Sequence, residues 1–304
     1  MKISLNTGQN LFANGWSDYE LLDSGDGQKL ERFGPYLFIR PEPQALWSPH
    51  LDQALWQSAS GRFAASDEER GKWELDKHLP ASWPLGFDGV RFEAMPTPFR
   101  HLGFFPEQSP HWLWTAEQIG QFKTAYNRPP RLLNLFAYSG LASLHAAAAG
   151  AEVTHLDASK KAVAQAFENR DMSGMSHALI RFITDDATGF VDRELRRGRR
   201  YDGIILDPPK YGRGPKGEFW KIEDHLIPLL QKCRALLSDE PLFLVLTIYA
   251  IRASSLAAHY ALADTLAGLS GHLESGELAL QESPTSVDPA TAGRFVAQAN
   301  FARW

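Results

Sequence analysis

The sequence predicts an α/β protein in which a mostly parallel β-sheet domain follows a small β-rich domain. From residue 131 onward, short apolar runs alternate with helical segments and short loops, a pattern typical of a parallel sheet covered on both faces. Residues 1 to about 115 show only short strand-like segments divided by Gly and Pro. The chain has 304 residues, which is long for one domain. We therefore expect a β-rich, substrate-recognising domain at 1–115 and an α/β domain at 116–304.

The N-terminal region is predicted to be built of short strands, the clearest of which cover 36–40, 72–75 and 90–95. It is also rich in tryptophan, which occurs in it or at its edge at positions 16, 47, 56, 73, 83, 112 and 114. Such a density either fills a core or offers a surface on which bases stack, and core filling is the commoner explanation. A Gly-Phe-Phe-Pro-Glu-Gln segment ends at Gln108, and Thr115 is predicted to cap a helix over 116–126.

The α/β domain is predicted from the change of hydrophobic period along the chain. Strands are expected at 131–136, 152–156, 180–184, 202–206 and 241–249. Helices are expected at 140–149, 159–171, 189–196, 219–237 and 253–269. Two late segments, 273–281 and 294–304, are predicted to add strands to the same sheet.

Composition excludes several classes of protein. The only cysteine is Cys233, so there is no disulfide framework and no cysteine-based metal site. The N-terminus lacks an apolar signal segment, and the longest apolar run, over 242–251, is too short for a membrane span. The formal net charge of −5 argues mildly against broad nucleic-acid binding, and the dense arginines within 193–200 are interpreted as a solvated helix end. We expect an untargeted cytoplasmic protein with no membrane partner.

The stretch 131–157 predicts a ligand-binding β-loop-α-β unit. In an open parallel sheet, ligands lie outside the carboxyl ends of the strands, facing backbone N–H groups of the first loop and helix. Gly140 is expected to let a ligand approach, and Asp157 to hold two ribose hydroxyls. The loop has one glycine where a dinucleotide fingerprint has three, so a ligand without a pyrophosphate, such as S-adenosylmethionine, fits better. The alternative is an ordinary βαβ unit with an unrelated loop.

Small polar or acidic residues follow each of the first four strands of the α/β domain. They are Tyr138 to Gly140, then Asp157 and Ser159, then Asp185 and Asp186, and finally Asp207. A single acid after a strand is often only a helix cap, a role that Asp186 could have for the next helix. Several such positions in register indicate a site along one edge of the sheet.

The sharpest motif is Leu206-Asp207-Pro208-Pro209-Lys210-Tyr211. Two prolines make a stiff turn and lack N–H groups, so nearby carbonyls stay free to accept, and Asp207 could accept from the substrate or from the amino group of the cofactor. Such a turn suits a planar nucleophile. In amino-directed methyltransferases with a similar D-P-P-Y turn the aromatic ring stacks on the base, whereas here Lys210 takes that place and Tyr211 follows. The alternative is a rigid loop that enters a helix.

Together with N-L-F-A-Y-S-G, L-D-A-S, D-D-A and L-T-I-Y, this motif resembles class I S-adenosylmethionine-dependent methyltransferases over residues 131–250. The closest resemblance is to the family of bacterial 23S rRNA cytosine-C5 and guanine-N7 methyltransferases, which also place a glycine-aromatic stretch before the catalytic domain. The resemblance implies a Rossmann-like methyltransferase fold that ends in an antiparallel hairpin, S-adenosyl-L-methionine as cofactor, and ribosomal RNA as substrate. 

On this basis we assign roles to individual residues. Cofactor binding is assigned to Phe136, Tyr138, Ser139, Gly140, Asp157, Ser159, Asp186, Asp207 and Gln108. Catalytic or substrate-positioning roles are assigned to Asp207, Pro208, Pro209, Lys210, Tyr211 and Tyr249. No metal ligand is assigned.

One departure from the family bears on the mechanism. Cytosine-C5 methylation needs a thiolate that adds to the base, and the cytosine members carry a cysteine after the fifth strand. Here that place reads Thr247-Ile248-Tyr249-Ala250-Ile251, and Cys233 lies in a predicted helix before the strand. The sequence therefore excludes the cytosine-C5 mechanism and favours direct transfer of the methyl group to a nitrogen or oxygen lone pair.

The acceptor is left open by the sequence. Guanine N7 needs no deprotonation, whereas an amino or hydroxyl acceptor would use Asp207, Lys210 or Tyr249 to accept or orient a proton. Arg252 and Ser254 could bind an anionic part of the substrate or could only start a helix. The acidic net charge and the absence of a recognisable RNA-binding accessory domain keep two alternatives: methylation of a small molecule or protein, and a non-catalytic module that binds the cofactor or RNA.

Overall fold

The computed structural model describes residues 3–65, 71–249, 253–283 and 293–304. It divides into two compact units whose segments alternate along the chain. The α/β unit holds Met1–Leu11, Pro110–Leu278 and Gln298–Trp304, and the β-rich unit holds Phe12–Ser109 and Ala279–Ala297. The units therefore interleave in sequence, whereas we predicted one boundary near residue 115.

Strand β1, Ile3–Phe12, precedes the elements of the β-rich unit. These are β2 Tyr19–Gly25, β3 Gln28–Phe33, β4 Tyr36–Pro41, α1 Gln53–Gln57, β5 Gly61–Ala65, β6 Gly71–Leu75, β7 Trp83–Phe87, β8 Val90–Ala94 and a one-turn 3-10 helix, Pro106–Gln108. Strands β2 to β6 form a five-stranded sheet in chain order, and β7 pairs with β8. The predicted strands at 36–40, 72–75 and 90–95 correspond to β4, β6 and β8.

Aromatic side chains fill the core of the β-rich unit. Phe33, Phe38 and Trp83 are buried, and the Phe38 and Trp83 rings stack with centroids 5.5 Å apart. The indole N–H of Trp83 donates to the Phe33 carbonyl at 3.1 Å, so the polar end of the ring is satisfied. All seven tryptophans noted above are buried or half-buried, which favours core filling over a stacking surface.

The α/β unit alternates strands and helices after its first helix. Its elements are α2 Ser109–Tyr126, β9 Arg131–Leu135, α3 Leu141–Ala148, β10 Glu152–Asp157, α4 Lys160–Met172, β11 Ile180–Thr184, α5 Ala187–Arg196, β12 Gly203–Leu206, β13 Tyr211–Arg213, β14 Phe219–Lys221, α6 Ile222–Leu236, β15 Phe243–Ile248, α7 Ser255–Thr265, β16 Gly271–Gln281 and β17 Phe295–Arg303. One eight-stranded sheet has the order β1-β16-β17-β15-β12-β9-β10-β11. The five strands from β15 to β11 pair in parallel, and β17 pairs antiparallel with β15. The predicted fold, a Rossmann-like and mostly parallel sheet with a β-rich N-terminal region, is confirmed.

Two predicted helix starts are wrong. Thr115 does not cap a helix, because α2 already begins at Ser109 and the Thr115 hydroxyl donates to the Trp112 carbonyl at 2.9 Å. The helix predicted over 219–237 begins only at Ile222, because residues 219–221 pair with Tyr211–Arg213 as a small antiparallel ribbon. Backbone pairing across the Gly-rich loop outweighs helix propensity there. In the part of the chain that the structure describes, no helix is both long and apolar enough to cross a membrane.

Candidate active site

The carboxyl ends of the parallel strands are aligned at one level. Leu135 of β9 stands beside Leu156 of β10 and Leu206 of β12, and Leu206 stands beside Leu246 of β15. The residue after each leucine therefore begins the same edge of the sheet. This row contains Phe136, Asp157, Asp207 and Thr247. The direction of chain order reverses at β9, so the row crosses the switch point where open α/β sheets bind ligands.

The loop after β9 has an unusual backbone. Phe136 and Tyr138 have positive φ angles of 58° and 47°, and Gly140 has φ 90°. Non-glycine residues in this left-handed region cost free energy and persist only where the surroundings impose them. The Ala137 N–H donates to the Leu156 carbonyl at 3.0 Å, and the Asn169 side chain donates to the Ser139 carbonyl at 2.9 Å. These two hydrogen bonds tie the loop to the neighbouring strand and to α4.

Gly140 has a structural role that the sequence did not predict. A Cβ atom at this position would lie 2.7 Å from the Ala166 Cβ atom of α4 and 3.5 Å from the His155 ring. The glycine is thus required by its φ angle and by close packing of the loop on α4, both of which are features of the fold. The approach of a ligand at Gly140 stays a prediction.

Asp157 receives hydrogen bonds from the backbone of both flanking loops. Its Oδ2 accepts from the Tyr138 N–H at 2.9 Å, and its Oδ1 accepts from the Ser159 N–H at 2.8 Å. Burial raises the pKa of this carboxyl, and the two N–H donors oppose that rise. A carboxylate has about four lone-pair positions. Each oxygen of Asp157 therefore keeps capacity for a further donor, as two vicinal ribose hydroxyls would supply.

Tyr138 shares this environment. Burial raises the pKa of its phenol to about 12, and the negative charge of Asp157 adds to the rise. Its hydroxyl therefore stays protonated at neutral pH. Tyr138 can offer an aromatic surface and a neutral O–H group, but no phenolate base.

Two other predicted cofactor residues serve as helix caps. The Ser159 hydroxyl accepts from the Ala162 N–H at 3.2 Å at the start of α4. The Asp186 carboxylate accepts from the Gly189 N–H at 2.7 Å at the start of α5, as the sequence allowed. The neighbouring Asp185 pairs with Arg193. Contacts of Ser159 and Asp186 with a cofactor stay predictions.

The turn after β12 is locked by the small ribbon that follows it. The Trp220 indole N–H donates to the Pro209 carbonyl at 2.6 Å, and the Ile222 N–H donates to the Lys210 carbonyl at 3.0 Å. The sequence predicted free acceptor carbonyls near the two prolines, and the carbonyls of Pro209 and Lys210 each receive a hydrogen bond. The Trp220 ring also packs against Phe136, with centroids 4.9 Å apart, so the first loop and the Asp207 turn share one aromatic contact.

The remaining residues of the motif differ in exposure. Pro208 is buried, and Pro209 and Tyr211 are exposed. The Lys210 ammonium lies 5.5 Å from the centroid of the Tyr211 ring, a cation–π arrangement. Tyr249, which follows β15, is half-buried against the apolar cluster that contains Leu278 and Phe301.

Three predictions fall elsewhere. Gln108 belongs to the β-rich unit, where it ends the 3-10 helix, so its part in cofactor binding stays a prediction. Arg252 lies outside the described residues. Ser254 accepts from the Leu256 N–H at 3.0 Å and so caps α7. Across the described ranges, no group of three or more His, Cys, Asp or Glu residues could hold a metal ion.

Sequence reasoning missed a buried polar chain beneath the first loop. The Asn134 amide donates to the Ser143 hydroxyl at 2.9 Å, and that hydroxyl lies 3.0 Å from Nδ1 of His155. Burial lowers the pKa of His155 to about 3, so the ring is neutral. The available signal was the pair of polar residues Asn134 and His155 within two segments predicted to be strands. Trp220 was also missed, and the Gly214-Pro215-Lys216-Gly217 turn was the signal for its ribbon.

Comparison with known proteins bears on the family and the fold of this chain. A family model described as conserved hypothetical protein 95 matches residues 118–224. A solved S-adenosylmethionine-dependent methyltransferase from Agrobacterium tumefaciens is 45% identical with a TM-score of 0.92, and the match covers 100% of this chain and 96% of that one. A structure described as a methyltransferase in complex with S-adenosylhomocysteine has a TM-score of 0.67, covering 96% of this chain and 76% of that one. At 14% identity it shows the fold alone.

Curated relatives match a shorter region. A Methanocaldococcus jannaschii protein named as a ribosomal RNA large subunit methyltransferase is 36% identical over 136 residues, which are 45% of this chain and 31% of the relative. The chain spans less than a third of the length of these curated relatives.

Proposed function

Because the chain belongs to the S-adenosylmethionine-dependent methyltransferases, we propose that it methylates a base of large-subunit ribosomal RNA. The acceptor is a nitrogen or oxygen atom, and no cysteine nucleophile takes part. The RNA substrate is supported by the names of relatives that match 43% to 45% of this chain. The family supplies S-adenosylmethionine as the methyl donor, so the cofactor does not depend on that comparison.

Cofactor binding is assigned to the row at the carboxyl edge of the sheet. Asp157 would accept from the ribose hydroxyls with the lone pairs that its two backbone donors leave unused. The tied loop from Phe136 to Gly140 would present its backbone to the amino-acid part of the cofactor. Asp186 would contact the adenine, in addition to capping α5.

The Asp207 turn is assigned to the methyl acceptor. Methyl transfer from a sulfonium neutralises a charge, so the protein gains most by aligning donor and acceptor and by excluding water. Two prolines, the Trp220 hydrogen bond to Pro209 and the Phe136 contact make this turn rigid. Asp207 would orient an N–H or O–H group of the acceptor, and Lys210 and Tyr211 would lie beside the base.

The single observation that carries the mechanism in this proposal, direct transfer without a cysteine nucleophile, is the burial of Cys233. Cys233 is fully buried in α6 within the main apolar cluster, and burial raises its pKa to about 12. It therefore has no thiolate at neutral pH with which to attack a base. The row offers the carboxylates Asp157 and Asp207 in place of a thiolate. Carboxylates can orient the cofactor and the acceptor, which is what direct methyl transfer requires.

The test is transfer of labelled methyl from S-adenosylmethionine by the purified protein to deproteinised rRNA, to a protein fraction and to a small-molecule extract. The substrates should come from cells that lack this gene, so that the acceptor is unmodified. We expect label in large-subunit rRNA, and nucleoside digestion then names the atom. Label confined to the protein or small-molecule fraction would refute RNA as substrate and leave the cofactor site intact. A cytoplasmic location, where ribosomes are made, stays a prediction.

A further inference from the structure

The ribbon that follows the Asp207 turn has two distinct faces. Its antiparallel register pairs Tyr211 with Lys221, Gly212 with Trp220 and Arg213 with Phe219. Directly paired residues share a face, and successive residues alternate between faces. The inner face consists of Gly212 and Trp220. The outer face consists of Tyr211, Arg213, Phe219 and Lys221.

The inner face fixes the ribbon to the candidate active site. Trp220 is 5% exposed, donates to the Pro209 carbonyl at 2.6 Å and packs against Phe136. Burial and hydrogen bonding therefore explain why a tryptophan occupies this position. Burial does not explain Tyr211 and Phe219, the aromatic residues on the opposite face, because both are exposed.

The outer face exposes two large aromatic rings. Tyr211 is 49% exposed and Phe219 is 56% exposed. Each lies on a strand of three residues. Burying such rings would stabilise the fold, so their exposure is a cost that binding can recover. The rings are close to the turn by sequence, because Tyr211 directly follows Lys210.

Positive charge accompanies these rings. Arg213 is exposed and makes no ion pair with any residue that the structure describes. Lys216 is exposed at the tip of the ribbon, while the Glu218 carboxylate beside it is turned onto the Lys216 backbone N–H at 2.8 Å. Lys221 is the exception, because its ammonium pairs with Asp224 at 3.3 Å. The face thus combines exposed rings with the exposed cations Arg213 and Lys216, of which Lys216 has the Glu218 carboxylate nearby, in a protein whose formal net charge is −5.

We propose that the outer face of this ribbon binds an unpaired segment of the RNA substrate. Phe219 and Tyr211 stack on bases, and Arg213 and Lys216 contact the flanking phosphates. Interleaved aromatic and basic side chains are the chemistry that holds single-stranded nucleic acid, whereas the bases of a duplex have no free faces to stack on. The inference rests on the proposed RNA methylation and deepens it, because it names the form of RNA and the surface that holds it.

The first test measures binding of the full chain to a fluorescein-labelled single-stranded RNA of about 12 nucleotides and to its duplex. Phe219→Leu keeps an apolar side chain and removes the stacking ring. We expect it to weaken single-strand binding roughly tenfold or more, with little change for the duplex. Tyr260→Leu is the matched control, because Tyr260 is 61% exposed on α7 and far from the ribbon in sequence.

The second test separates local phosphate contacts from general attraction. Arg213→Gln should weaken single-strand binding and reduce the slope of log binding constant against log salt by about 0.7, the value of one released phosphate contact. Arg199→Gln removes an equal charge beyond the C-terminal end of α5 and should leave the slope unchanged. Equal effects of the two variants would contradict a phosphate contact at Arg213.

The two tests can fail separately from the proposed function. If the wild-type protein methylates RNA and Phe219→Leu binds the single strand as Tyr260→Leu does, the ribbon is not the RNA-binding surface. If the wild-type protein labels only proteins or small molecules, RNA is the wrong occupant and the proposed function fails with it. Unchanged binding of S-adenosylhomocysteine by Phe219→Leu shows that the variant is folded, so a lost RNA affinity then supports the inference.

Discussion

The Asp157 carboxylate and the Tyr138 backbone N–H are joined by a hydrogen bond of 2.9 Å that links the ends of two neighbouring parallel strands. Tyr138 has a positive φ angle of 47°, so the acid holds the first loop in a conformation that non-glycine residues rarely adopt. The residue assigned to the ribose hydroxyls therefore also shapes the loop assigned to the rest of the cofactor. Asp157 is thus expected to affect both the loop conformation and the affinity for the cofactor.

Asp157→Asn should weaken binding of S-adenosylhomocysteine by about 1–3 kcal/mol, roughly 5- to 150-fold in dissociation constant. The amide keeps the size of the side chain, but its NH₂ group cannot accept from Tyr138, Ser159 or a ribose hydroxyl. Calorimetric titration measures the effect. Asp171→Asn, an exposed carboxylate at the end of α4, is the control and should bind as the wild type does. An unchanged constant for Asp157→Asn would remove the ribose assignment.

Gly140→Ala should lower the free energy of unfolding by more than a positive φ angle alone explains. The new Cβ atom would lie 2.7 Å from the Ala166 Cβ atom, and the φ angle of 90° adds its own cost. The φ cost is about 1 kcal/mol, and the clash adds roughly 1–3 kcal/mol. Denaturant unfolding measures the sum.

Two variants separate these contributions. Gly174→Ala, at φ 67° with no atom within 4 Å of the new Cβ, carries the φ cost without the clash. Gly140→Ala combined with Ala166→Gly should remove the clash, because Ala166→Gly deletes the Cβ atom that the new side chain would meet. The cost of the positive φ angle should remain. If Gly140→Ala and Gly174→Ala destabilise the protein equally, the contact with α4 does not explain this glycine.

The strand positions and the row of acids were within reach of the sequence, and the locking contacts were not. Hydrophobic period and residue type locate β9 to β12 and place Asp157 and Asp207 at strand ends, because these signals are local. The aromatic contact between Phe136 and Trp220 joins positions 84 residues apart (220 − 136), and no local pattern encodes it. The pairing of β1 with β16 in the same sheet is equally distant in sequence, so the first residues were assigned to the N-terminal domain.

The ribbon after the Asp207 turn shows a second kind of limit. Phe219 and Trp220 were assigned to the start of a helix because they adjoin a strongly helical segment. Instead, three residues on each side of a Gly-rich loop pair as an antiparallel ribbon. An alternation of side chains over three residues is too short to predict a strand. The functional interest of the outer face became apparent only once this register was known.

Cys233→Ala should leave methyl transfer within about twofold of the wild type, because the thiol takes no part in the reaction. Burial raises the pKa of Cys233 to about 12, so the group stays a neutral thiol across the pH range in which the protein is assayed. Iodoacetamide should label Cys233 at a negligible rate in the native protein and rapidly in denaturant. A large loss of turnover in a folded Cys233→Ala variant would restore the cysteine mechanism that we exclude.

His155 should contribute to a loss of stability as the pH falls. Its pKa is lowered by burial to about 3 in the folded protein, whereas an unfolded histidine has a pKa of about 6.5. Between these values the unfolded state binds more protons, so the contribution to stability falls by about 1.4 kcal/mol per pH unit. Stability is fully present above about pH 6.5 and is lost progressively toward pH 3.

His155→Asn removes this titration and should reduce the slope of unfolding free energy against pH over that range. Denaturant titrations at several pH values measure the slope, and His177→Asn is the control. His111 and His145 also have lowered pKa values, so a slope remains in the variant. An unaltered slope would show that His155 is protonated in the folded protein or that its ring is open to water.

Asp207→Asn should reduce turnover far more than it reduces affinity for S-adenosylhomocysteine. The side chain is assigned to orienting the acceptor, so the interaction lost is made mainly in the transition state, and kcat and kcat/KM should fall together. A loss of about 10- to 1000-fold in kcat is expected for one orienting or proton-accepting group. Guanine N7 as acceptor predicts the low end of that range, because its lone pair needs no base.

Single-turnover methyl transfer to rRNA measures the chemical step, and calorimetric titration of the same variant measures the cofactor affinity. Asp192→Asn, on the surface of α5, is the control for removal of one carboxylate from this unit. Equal losses in turnover and cofactor affinity would place Asp207 at the cofactor and away from the acceptor. A profile of the wild-type rate against pH then distinguishes the acceptors, because only an amino or hydroxyl acceptor makes the rate fall as the accepting group becomes protonated.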